Sequence, residues 1–447
     1  MLFDGNRLML LKNCCLISES IRKRKFNLPS RCMKIALTFF LTCANFLTAV
    51  SSQELLKNVD VNSASAAAEK QNTGSDSITP PNDSQGKTSE LKSDKDMDDW
   101  SMFRGNSLGT GYSKTTLAEK LELVWTFKVP KGAFESTAAI VGDVVYIGDL
   151  DGKVYALDLS TGKKKWEFKT ESGFTASPAV KEGLVFIGDY DGTFYCLDKD
   201  GNLKWKHETG AEINSSANFF KDNVLFGSQD ATLYCLNMKT GKEVWNFQIE
   251  DQIRCSPTVV EGRCFVAGCD ARLHIIDLEK GKGLTAVDID GPTMATPAVV
   301  GDSTYFGTEQ GTAFSINWKT AKKNWDVRID ERGDSIRSSP AITKVGKKQV
   351  MIFGARSKHV YCIDLEKGHK LWEYKTKSMV DSSPAIAGGR VFFGTDRGKL
   401  VALNTKDGSL AWETDLGGTI AASPAIAKSK LIISNDRGTV FCFGKKD

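Results

Sequence analysis

The stretch SPAVKEGLVFIGDYDGTFYCLDKDGNLKW, residues 177–205, decides the fold of this chain. Short runs rich in Val, Ile, Phe and Tyr alternate in it with turns that contain Gly. Asp-Gly pairs supply the positive φ that tight hairpin turns require, and short apolar runs between such turns are typical of β-strands. We predict four strands, which open at Ala179, cover 184–188 and 193–197, and surround Trp205. A four-stranded antiparallel sheet of this size is typical of a propeller blade.

The same stretch recurs along the rest of the sequence. A Ser-Pro pair or its equivalent marks each copy, at Thr137-Ala138, Ser177-Pro178, Ser216-Ala217, Ser256-Pro257, Thr296-Pro297, Ser339-Pro340, Ser383-Pro384 and Ser423-Pro424. Subtracting successive positions gives spacings of 40, 39, 40, 40, 43, 44 and 40 residues. Eight copies with a period of about 40 residues indicate a propeller or a solenoid.

The two ends of the repeat region indicate how a ring would close. The last copy stops at Gly444, after its third strand, and a surplus strand of the tryptophan type, Leu123 to Phe127, precedes the first copy. Pairing these two ends completes an eighth blade and removes two open sheet edges, which are prone to unwanted pairing. We therefore predict an all-β, eight-bladed β-propeller of four-stranded antiparallel blades over residues 99–447, closed by its N- and C-terminal strands.

The repeat resembles a known family. Ser-Pro-Ala-Val, the Asp-Gly turn, the sequence Val-Tyr-Ala-Leu-Asp at 154–158, Thr161-Gly162-Lys163 and Trp166 look like the PQQ-like, quinoprotein-type repeat. Quinoprotein dehydrogenases and the propeller of the outer-membrane protein assembly factor carry this WD40-like repeat. The lead-in from Trp100 to Gly111 is similar to that of many secreted bacterial propellers. The resemblance implies a fold and says much less about activity.

The residues before the repeats predict export. Met33-Lys34, the apolar run from Ile35 to Val50 and the small residues after it have the order of a secretory signal peptide, so we assign 1–53 to an N-terminal extension and signal with its start at Met33. An uncleaved membrane anchor is the alternative, although the run is shorter than the roughly 20 residues of a spanning helix. A lipoprotein signal is weaker still, because Cys43 lacks a small residue directly before it.

The segment 54–98 and the overall charge narrow the choice of partners. That segment has no aromatic residues and few large aliphatic ones, which predicts a disordered linker. The net charge of +4 results from 59 basic and 55 acidic residues, so it gives no strong case for nucleic acid or an anionic membrane as a partner. We expect a periplasmic, cell-envelope or extracellular protein without a transmembrane segment in the mature chain, and with a protein or a cell-envelope component as its partner.

Tryptophan recurs at one place in most copies. The positions are Trp125, Trp166, Trp205, Trp245, Trp325, Trp372 and Trp412, and the fourth copy has Thr285 there. A residue repeated in nearly every blade serves something that every blade needs, so docking between neighbouring blades is favoured over stacking on a planar cofactor.

Motifs typical of metal sites are weak in this sequence. The Asp-x-Asp-Gly sequences at 149–152 and 189–192 resemble the start of a calcium loop, but such a loop has its Gly at the sixth position and a Glu at the twelfth. We interpret both as hairpin turns and expect no metal site. His274 replaces the usual third-strand Tyr, which favours packing over catalysis.

The cysteines follow the repeat. Cys196, Cys235, Cys362 and Cys442 take the place of Ala156, Ile275, Ser315 and Ala402 in other copies, which indicates a small buried packing position. Cys255, Cys264 and Cys269 are clustered in one copy and could include one disulfide, but their spacing is not that of a zinc site.

Three functions are compatible with these patterns. The first is a non-catalytic binding scaffold, and the second, implied by the resemblance, is a PQQ-dependent dehydrogenase. Enzymes of that kind carry a disulfide between adjacent cysteines above the quinone, whereas the only adjacent pair here, Cys14-Cys15, precedes the signal. The third is a role in envelope protein assembly. We favour the scaffold and expect no enzyme activity, no catalytic residues and no cofactor.

The binding residues of such a scaffold are predicted at one mouth of the channel. The residues just before each inner strand differ from copy to copy while the framework repeats, and a propeller can vary its chemistry there without disturbing its core. This mouth ring consists of Glu135, Thr175, Asn214, Arg254, Met294, Arg337, Asp381 and Ala421. The alternative is that these residues are only solvated loop positions.

Overall fold

The computed structural model describes residues 98–446, so the predicted signal peptide and nearly all of the predicted linker lie outside the described residues. The described residues form 32 strands in eight four-stranded sheets, and all strand pairs within them are antiparallel. Each sheet is one blade of a ring, which confirms the predicted eight-bladed propeller. Between residues 98 and 446 the chain contains no helix with the length and apolar character needed to cross a membrane.

Strand β1 is Glu122–Lys128, and the strands of the first four blades come after it in the sequence. Blade 1 comprises β2 to β5, which are Ala139–Val141, Val144–Gly148, Lys153–Asp158 and Lys164–Lys169. Blade 2 comprises β6 to β9, which are Ala179–Lys181, Leu184–Gly188, Thr193–Asp198 and Leu203–Glu208. Blade 3 comprises β10 to β13, which are Asn218–Phe220, Asn223–Gly227, Thr232–Asn237 and Glu243–Gln248. Blade 4 comprises β14 to β17, which are Thr258–Val260, Arg263–Ala267, Arg272–Asp277 and Lys282–Asp288.

The second half has the same plan, with a longer first hairpin in blade 6. Blade 5 comprises β18 to β21, which are Ala298–Val300, Ser303–Gly307, Thr312–Asn317 and Lys322–Arg328. Blade 6 comprises β22 to β25, which are Ala341–Val345, Lys348–Ala355, His359–Asp364 and Lys370–Lys375. Blade 7 comprises β26 to β29, which are Ala385–Ala387, Arg390–Gly394, Lys399–Asn404 and Leu410–Asp415. Blade 8 comprises β30 to β32, which are Ala425–Ala427, Lys430–Asn435 and Thr439–Gly444, together with β1.

Ring closure follows the predicted pairing of the chain ends. β1 pairs antiparallel with β32, with Leu123 opposite Phe443 and Phe127 opposite Val440. Trp125 is only 8% exposed, and it belongs to a core cluster that residues from blades 7, 8 and 1 share. The last blade is therefore completed by residues from the beginning of the ring, and neither β1 nor β32 leaves an unpaired edge between the two ends.

In every blade except blade 4, a recurrent tryptophan packs against the next blade. The indole N–H of Trp125 in blade 8 donates to the carbonyl oxygen of Leu159 in blade 1 at 2.8 Å. Its ring lies against Gly162, where an added Cβ would come within 2.6 Å of the indole, so the Thr-Gly turn needs glycine there. Five more tryptophans donate in the same way to the following blade, namely Trp166, Trp205, Trp245, Trp325 and Trp372.

Blade 4 lacks this tryptophan, and a tryptophan of the following blade packs against it instead. Thr285 lies opposite Ile275, at the register position of the tryptophan in other blades. Trp318 of blade 5 fills the space, with its ring centroid 5.7 Å from that of Phe265 in blade 4. In blade 2 the corresponding contact, between Phe186 and Trp205 at 5.9 Å, lies within one blade. The aromatic side chain that the sequence of blade 4 lacks is thus supplied by its neighbour.

Candidate binding site

The eight residues of the predicted mouth ring all line one cavity at the end of the central channel. The cavity has a volume of about 470 Å³, and we call it the well. Because each mouth residue stands directly before an inner strand, the ring geometry brings together side chains that are 39 to 44 residues apart in the sequence. The structure thus places the predicted residues side by side, and their role in binding stays a prediction.

A second set of variable residues, which we did not predict from the sequence, surrounds the mouth ring. These residues occupy the turn between the second and third strands of each blade, and we call them the outer ring: Leu150, Tyr190, Gln229, Cys269, Glu309, Arg356, Asp396 and Asp436. Tyr190 and Arg356 also line the well. The signal was present in the sequence, because the residue two positions after the end of each second strand, or one position after it in the longer strands of blades 6 and 8, changes from copy to copy in the same way as the mouth ring.

Backbone hydrogen bonds hold the two rings in place. In each blade the N–H of the outer-ring residue donates to the loop that leads into the inner strand, as from Leu150 to the carbonyl oxygen of Ala133 at 2.9 Å. The loop in turn bonds to the preceding blade, as from Phe174 N–H to Asp149 at 2.9 Å. Because both sides of each loop are tied to strands, the mouth presents its side chains on a rigid frame, which lowers the ordering cost of binding.

Below the mouth ring, the Ser and Thr residues that mark the repeats form a closed hydrogen-bonded belt. The backbone N–H of Thr137 donates to Ser177 Oγ at 3.0 Å, and the backbone N–H of Ser177 donates to Ser216 Oγ at 2.8 Å. The same bond continues from blade to blade until Ser423 N–H donates to Thr137 Oγ1 at 3.0 Å. We call the eight side chains the hydroxyl ring; they are Thr137, Ser177, Ser216, Ser256, Thr296, Ser339, Ser383 and Ser423, and all of them line the well.

The segment before β1 crosses the other end of the channel. Residues 100–115, which we call the closing segment, bond to the innermost part of all eight blades. For example, the N–H of Val180 in blade 2 donates to Ser101, that of Val299 in blade 5 donates to Leu108, and that of Ile386 in blade 7 donates to Gly111. Since Phe103 of this segment lines the well, the closing segment ends the well on the side away from the mouth.

Arg104 anchors the closing segment and is 1% exposed. Its guanidinium donates to three backbone carbonyl oxygens, those of Ser383 at 3.2 Å, Pro340 at 3.1 Å and Pro384 at 2.5 Å. Burial lowers the pKa of Arg104 to about 9, which leaves the group charged at neutral pH. No carboxylate in the described part of the chain pairs with it, so a positive charge lies in the closing segment, next in sequence to Phe103.

The basic residues of the mouth lie on blades 4 and 6. Arg356 forms a bidentate pair with Asp381, at 3.1 Å and 2.6 Å, and the Nε of Arg337 lies 3.3 Å from Glu309. Arg254 differs from both, because its Nε donates to the neutral side chain of Gln252 at 2.9 Å. Among residues 98–446, Arg254 is the arginine of the well that has no carboxylate partner.

Apart from Glu309 of blade 5, the acidic groups of the mouth lie on blades 7, 8 and 1. Partial burial and the nearby Asp436 raise the pKa of Glu135. Burial and the nearby Asp381 also raise the pKa of Asp396. Blades 2 and 3 contribute uncharged polar groups, and Asn214 donates to Thr175 Oγ1 at 3.0 Å. The mouth therefore has an acidic side, a neutral polar side and a basic side.

The remaining candidates from the sequence have structural partners. Oδ1 of Asp149 accepts from Asp151 N–H and Lys153 N–H, and its Oδ2 accepts from the Tyr155 hydroxyl, so the Asp-x-Asp-Gly motif forms a hairpin turn. His274 takes the place of the tyrosine, with its Nε2 2.7 Å from Asp270 Oδ2. Within residues 98–446, no group of three His, Cys, Asp or Glu side chains could hold a metal ion.

The cysteines of the described segment are free thiols. Cys196, Cys235, Cys362 and Cys442 are fully buried, as their exchange with small and apolar residues predicts. In the blade 4 cluster, Cys255 and Cys264 are buried, Cys269 is half-buried, and none forms a disulfide. Burial raises the pKa of Cys255 to about 12, which keeps this thiol protonated and unreactive.

Comparisons with known proteins agree with the repeat. The family model described as outer membrane protein assembly factor BamB matches residues 118–256, 229–379 and 356–447. Among curated proteins, none matches significantly. The structure is similar to that of BamB from Moraxella catarrhalis, with 19% identity and a TM-score of 0.61 over 73% of this chain and 98% of that one.

Two enzymes have similar folds. A europium-containing methanol dehydrogenase has 14% identity and a TM-score of 0.66 over 78% of this chain and 99% of that one. The quinohemoprotein alcohol dehydrogenase from Comamonas testosteroni has 15% identity and a TM-score of 0.64 over 78% of this chain and 81% of that one. At these identities the similarity is one of fold, and one fold carries both kinds of protein.

Proposed function

The chain belongs to the family of the outer membrane protein assembly factor BamB, and from this premise we propose that it is an exported, non-catalytic propeller that binds a partner protein through the mouth of its channel. The family name suggests assembly of envelope proteins as the process. The signal-like sequence after Met33 supports export.

The observation that carries this proposal is the contrast between frame and mouth. The hydroxyl ring, the tryptophan contacts and the loop hydrogen bonds recur from blade to blade, while the mouth and outer rings differ at almost every copy. A constant frame with varied surface residues suits recognition of one particular partner, because each side chain can change without disturbing the core. Rigid loops also keep the entropy cost of binding low.

A quinone enzyme is the alternative, and the residues of the well do not fit a quinone. Six of the tryptophans donate hydrogen bonds to neighbouring blades, so they are not available as a stacking platform. Phe103 and Tyr190 are the aromatic residues that line the well. The adjacent pair Cys14-Cys15 lies outside the repeats. The arrangement therefore favours binding over dehydrogenation.

We expect no quinone-dependent turnover. The purified propeller is mixed with PQQ and calcium, and dye reduction is followed with a panel of alcohols and sugars, beside a quinoprotein dehydrogenase as positive control. The reason is chemical: no tryptophan lines the well, and its described residues include no group of three acidic or histidine side chains that could hold a metal ion. Clear turnover above the protein-free rate would contradict the non-catalytic assignment.

Site-specific photo-crosslinking tests the mouth as the binding face. A photoreactive residue replaces Thr175 or Ala421 at the mouth, and Lys204 or Glu243 on exposed outer strands serves as the matched control. In cells that produce the protein, we expect one discrete adduct from the mouth positions and none from the controls. Adducts from the outer strands alone would place the partner on the rim of the ring and reject the mouth.

A further inference from the structure

The hydroxyl ring leaves a set of hydrogen-bond donors in the well. A serine or threonine hydroxyl has one donor hydrogen and two acceptor lone pairs. In this ring each oxygen accepts a backbone N–H from the preceding blade, as Ser256 Oγ does from Ser216 at 2.9 Å. None of the eight donates to another group in residues 98–446. Their hydrogens are therefore left for whatever enters the well, and a group that accepts hydrogen bonds suits them.

The charged residues of the well also favour a ligand that accepts hydrogen bonds. Arg254 has no carboxylate partner among the described residues, whereas Arg337 and Arg356 each have one. Arg104 adds a buried positive charge in the closing segment that ends the well. A cleft with low-dielectric walls strengthens the field of such charges. The lining of the well thus contains one arginine without a carboxylate partner, next to hydroxyl groups whose hydrogens are free to donate.

The distribution of charge around the mouth limits which negatively charged groups can reach Arg254. Glu135 and Asp436, on blades 1 and 8, lie across the eight-bladed ring from Arg254 on blade 4. A dense polyanion would be repelled by them over much of the mouth. On the basic side Glu309 is paired with Arg337, so a slender segment with one or two carboxylates meets less repulsion there on its way to Arg254.

We propose that the well is a carboxylate-binding site, which receives an acidic side chain from a segment of the partner protein and pairs it with Arg254 and the hydroxyl ring. The guanidinium suits a carboxylate because it donates two parallel hydrogen bonds to it. Gln252 orients the Arg254 side chain for this contact. This inference rests on the proposed function, since it names the chemistry of the segment that the mouth recognises.

The test uses a defined peptide. A fluorescein-labelled Gly/Ser peptide with two Asp residues is titrated with the full-length protein, and the same peptide with Asn in place of Asp is its matched control. We expect the Asp peptide to bind more tightly. Arg254→Gln should weaken it about tenfold, which is the size of one charge-assisted hydrogen bond, and Arg254→Lys should give an intermediate loss because it keeps the charge but not the paired geometry.

Two controls separate this effect from a loss of structure. Arg272→Gln removes an exposed arginine from the outer part of the same blade and should leave peptide affinity unchanged. Arg254→Gln should keep the melting temperature, since Arg254 lies in a loop outside the core and Gln retains part of its stem. Sodium acetate and sodium phosphate serve as competitors: preferential competition by acetate supports a carboxylate site, and preferential competition by phosphate contradicts it.

The remaining outcomes distinguish the two proposals. Equal binding of the Asp and Asn peptides, or no measurable binding of either, overturns the carboxylate site. If the photo-crosslinked adduct at Thr175 persists in that case, the binding-platform function stands and only the carboxylate assignment fails. If the Asp peptide binds through Arg254 but no mouth adduct forms in cells, the chemistry of the well stands and the partner protein is rejected.

Discussion

Deletion of Glu122–Lys128 is expected to open the ring and to abolish its cooperative unfolding transition. β1 is the fourth strand of blade 8, and without it the third strand, Thr439–Gly444, has an unpaired edge. Trp125, which docks blade 8 onto blade 1, is lost as well. The propeller thus loses the tryptophan contact between its last and first blades, and the hydrogen bond from Ser423 N–H to Thr137 Oγ1 remains as a weaker link between them. Urea unfolding followed by tryptophan fluorescence measures the effect.

A single substitution tests ring closure by β1 with a smaller change to the chain. Trp125→Ala should lower the free energy of unfolding by about 3–5 kcal/mol, the usual range for removing a buried Phe or Trp side chain. Leu123→Ala on the same strand is the matched control, because Leu123 is 46% exposed; it should cost about 0.5 kcal/mol or less. If both the deletion and Trp125→Ala melt at the temperature of the parent protein, ring closure by β1 does not stabilise the fold.

Trp318→Ala should have an effect of similar size, about 3–5 kcal/mol, because this side chain is 8% exposed and fills the interface between blades 4 and 5. The structure allows a sharper experiment. Thr285→Trp alone should also destabilise the protein, by about 1–3 kcal/mol, since two indoles would compete for the space beside Phe265. Both free energies come from urea unfolding, with the exposed Lys322→Ala as control.

The combination of the two positions decides whether Trp318 stands in for the missing tryptophan. Trp318→Leu introduces the leucine that blades 1, 4 and 6 have at this position, as at Leu159. The space beside Thr285 then stays empty, and we expect the stability to fall. Adding Thr285→Trp to Trp318→Leu should recover most of the loss, because the tryptophan contact then has the same direction as in the other blades. A strictly additive double variant would show that the two residues do not share one space.

Much of the propeller could be predicted from local sequence. Each blade needs Asp-Gly and Thr-Gly turns, short apolar strands and a tryptophan for docking. The period of these features therefore predicts the blade and its eight copies. The surplus strand before Thr137 and the missing one after Phe443 then predicted the closure. The mouth ring followed from its place directly before each inner strand, since that position is equivalent in all copies.

Other features depend on which residues of different blades meet, and the sequence pattern does not contain this information. The Ser and Thr of each repeat served only as markers of the period, yet in the ring each one accepts a hydrogen bond from the blade before it. The outer ring follows the same variability as the mouth ring, but only the turn geometry brings it beside the well.

The sequence by itself determined the eight blades, their strands and their closure, because those depend on hydrophobic periodicity and turn chemistry within about 40 residues. Only the tertiary structure decided which charges remain unpaired in the well. Arg254, Arg337 and Arg356 look alike in the sequence, and they differ because two of them meet a carboxylate on a neighbouring loop while the third meets Gln252. Such pairing depends on the distances between loops of different blades. These loops are far apart in the sequence, and their distances are fixed only when the ring closes.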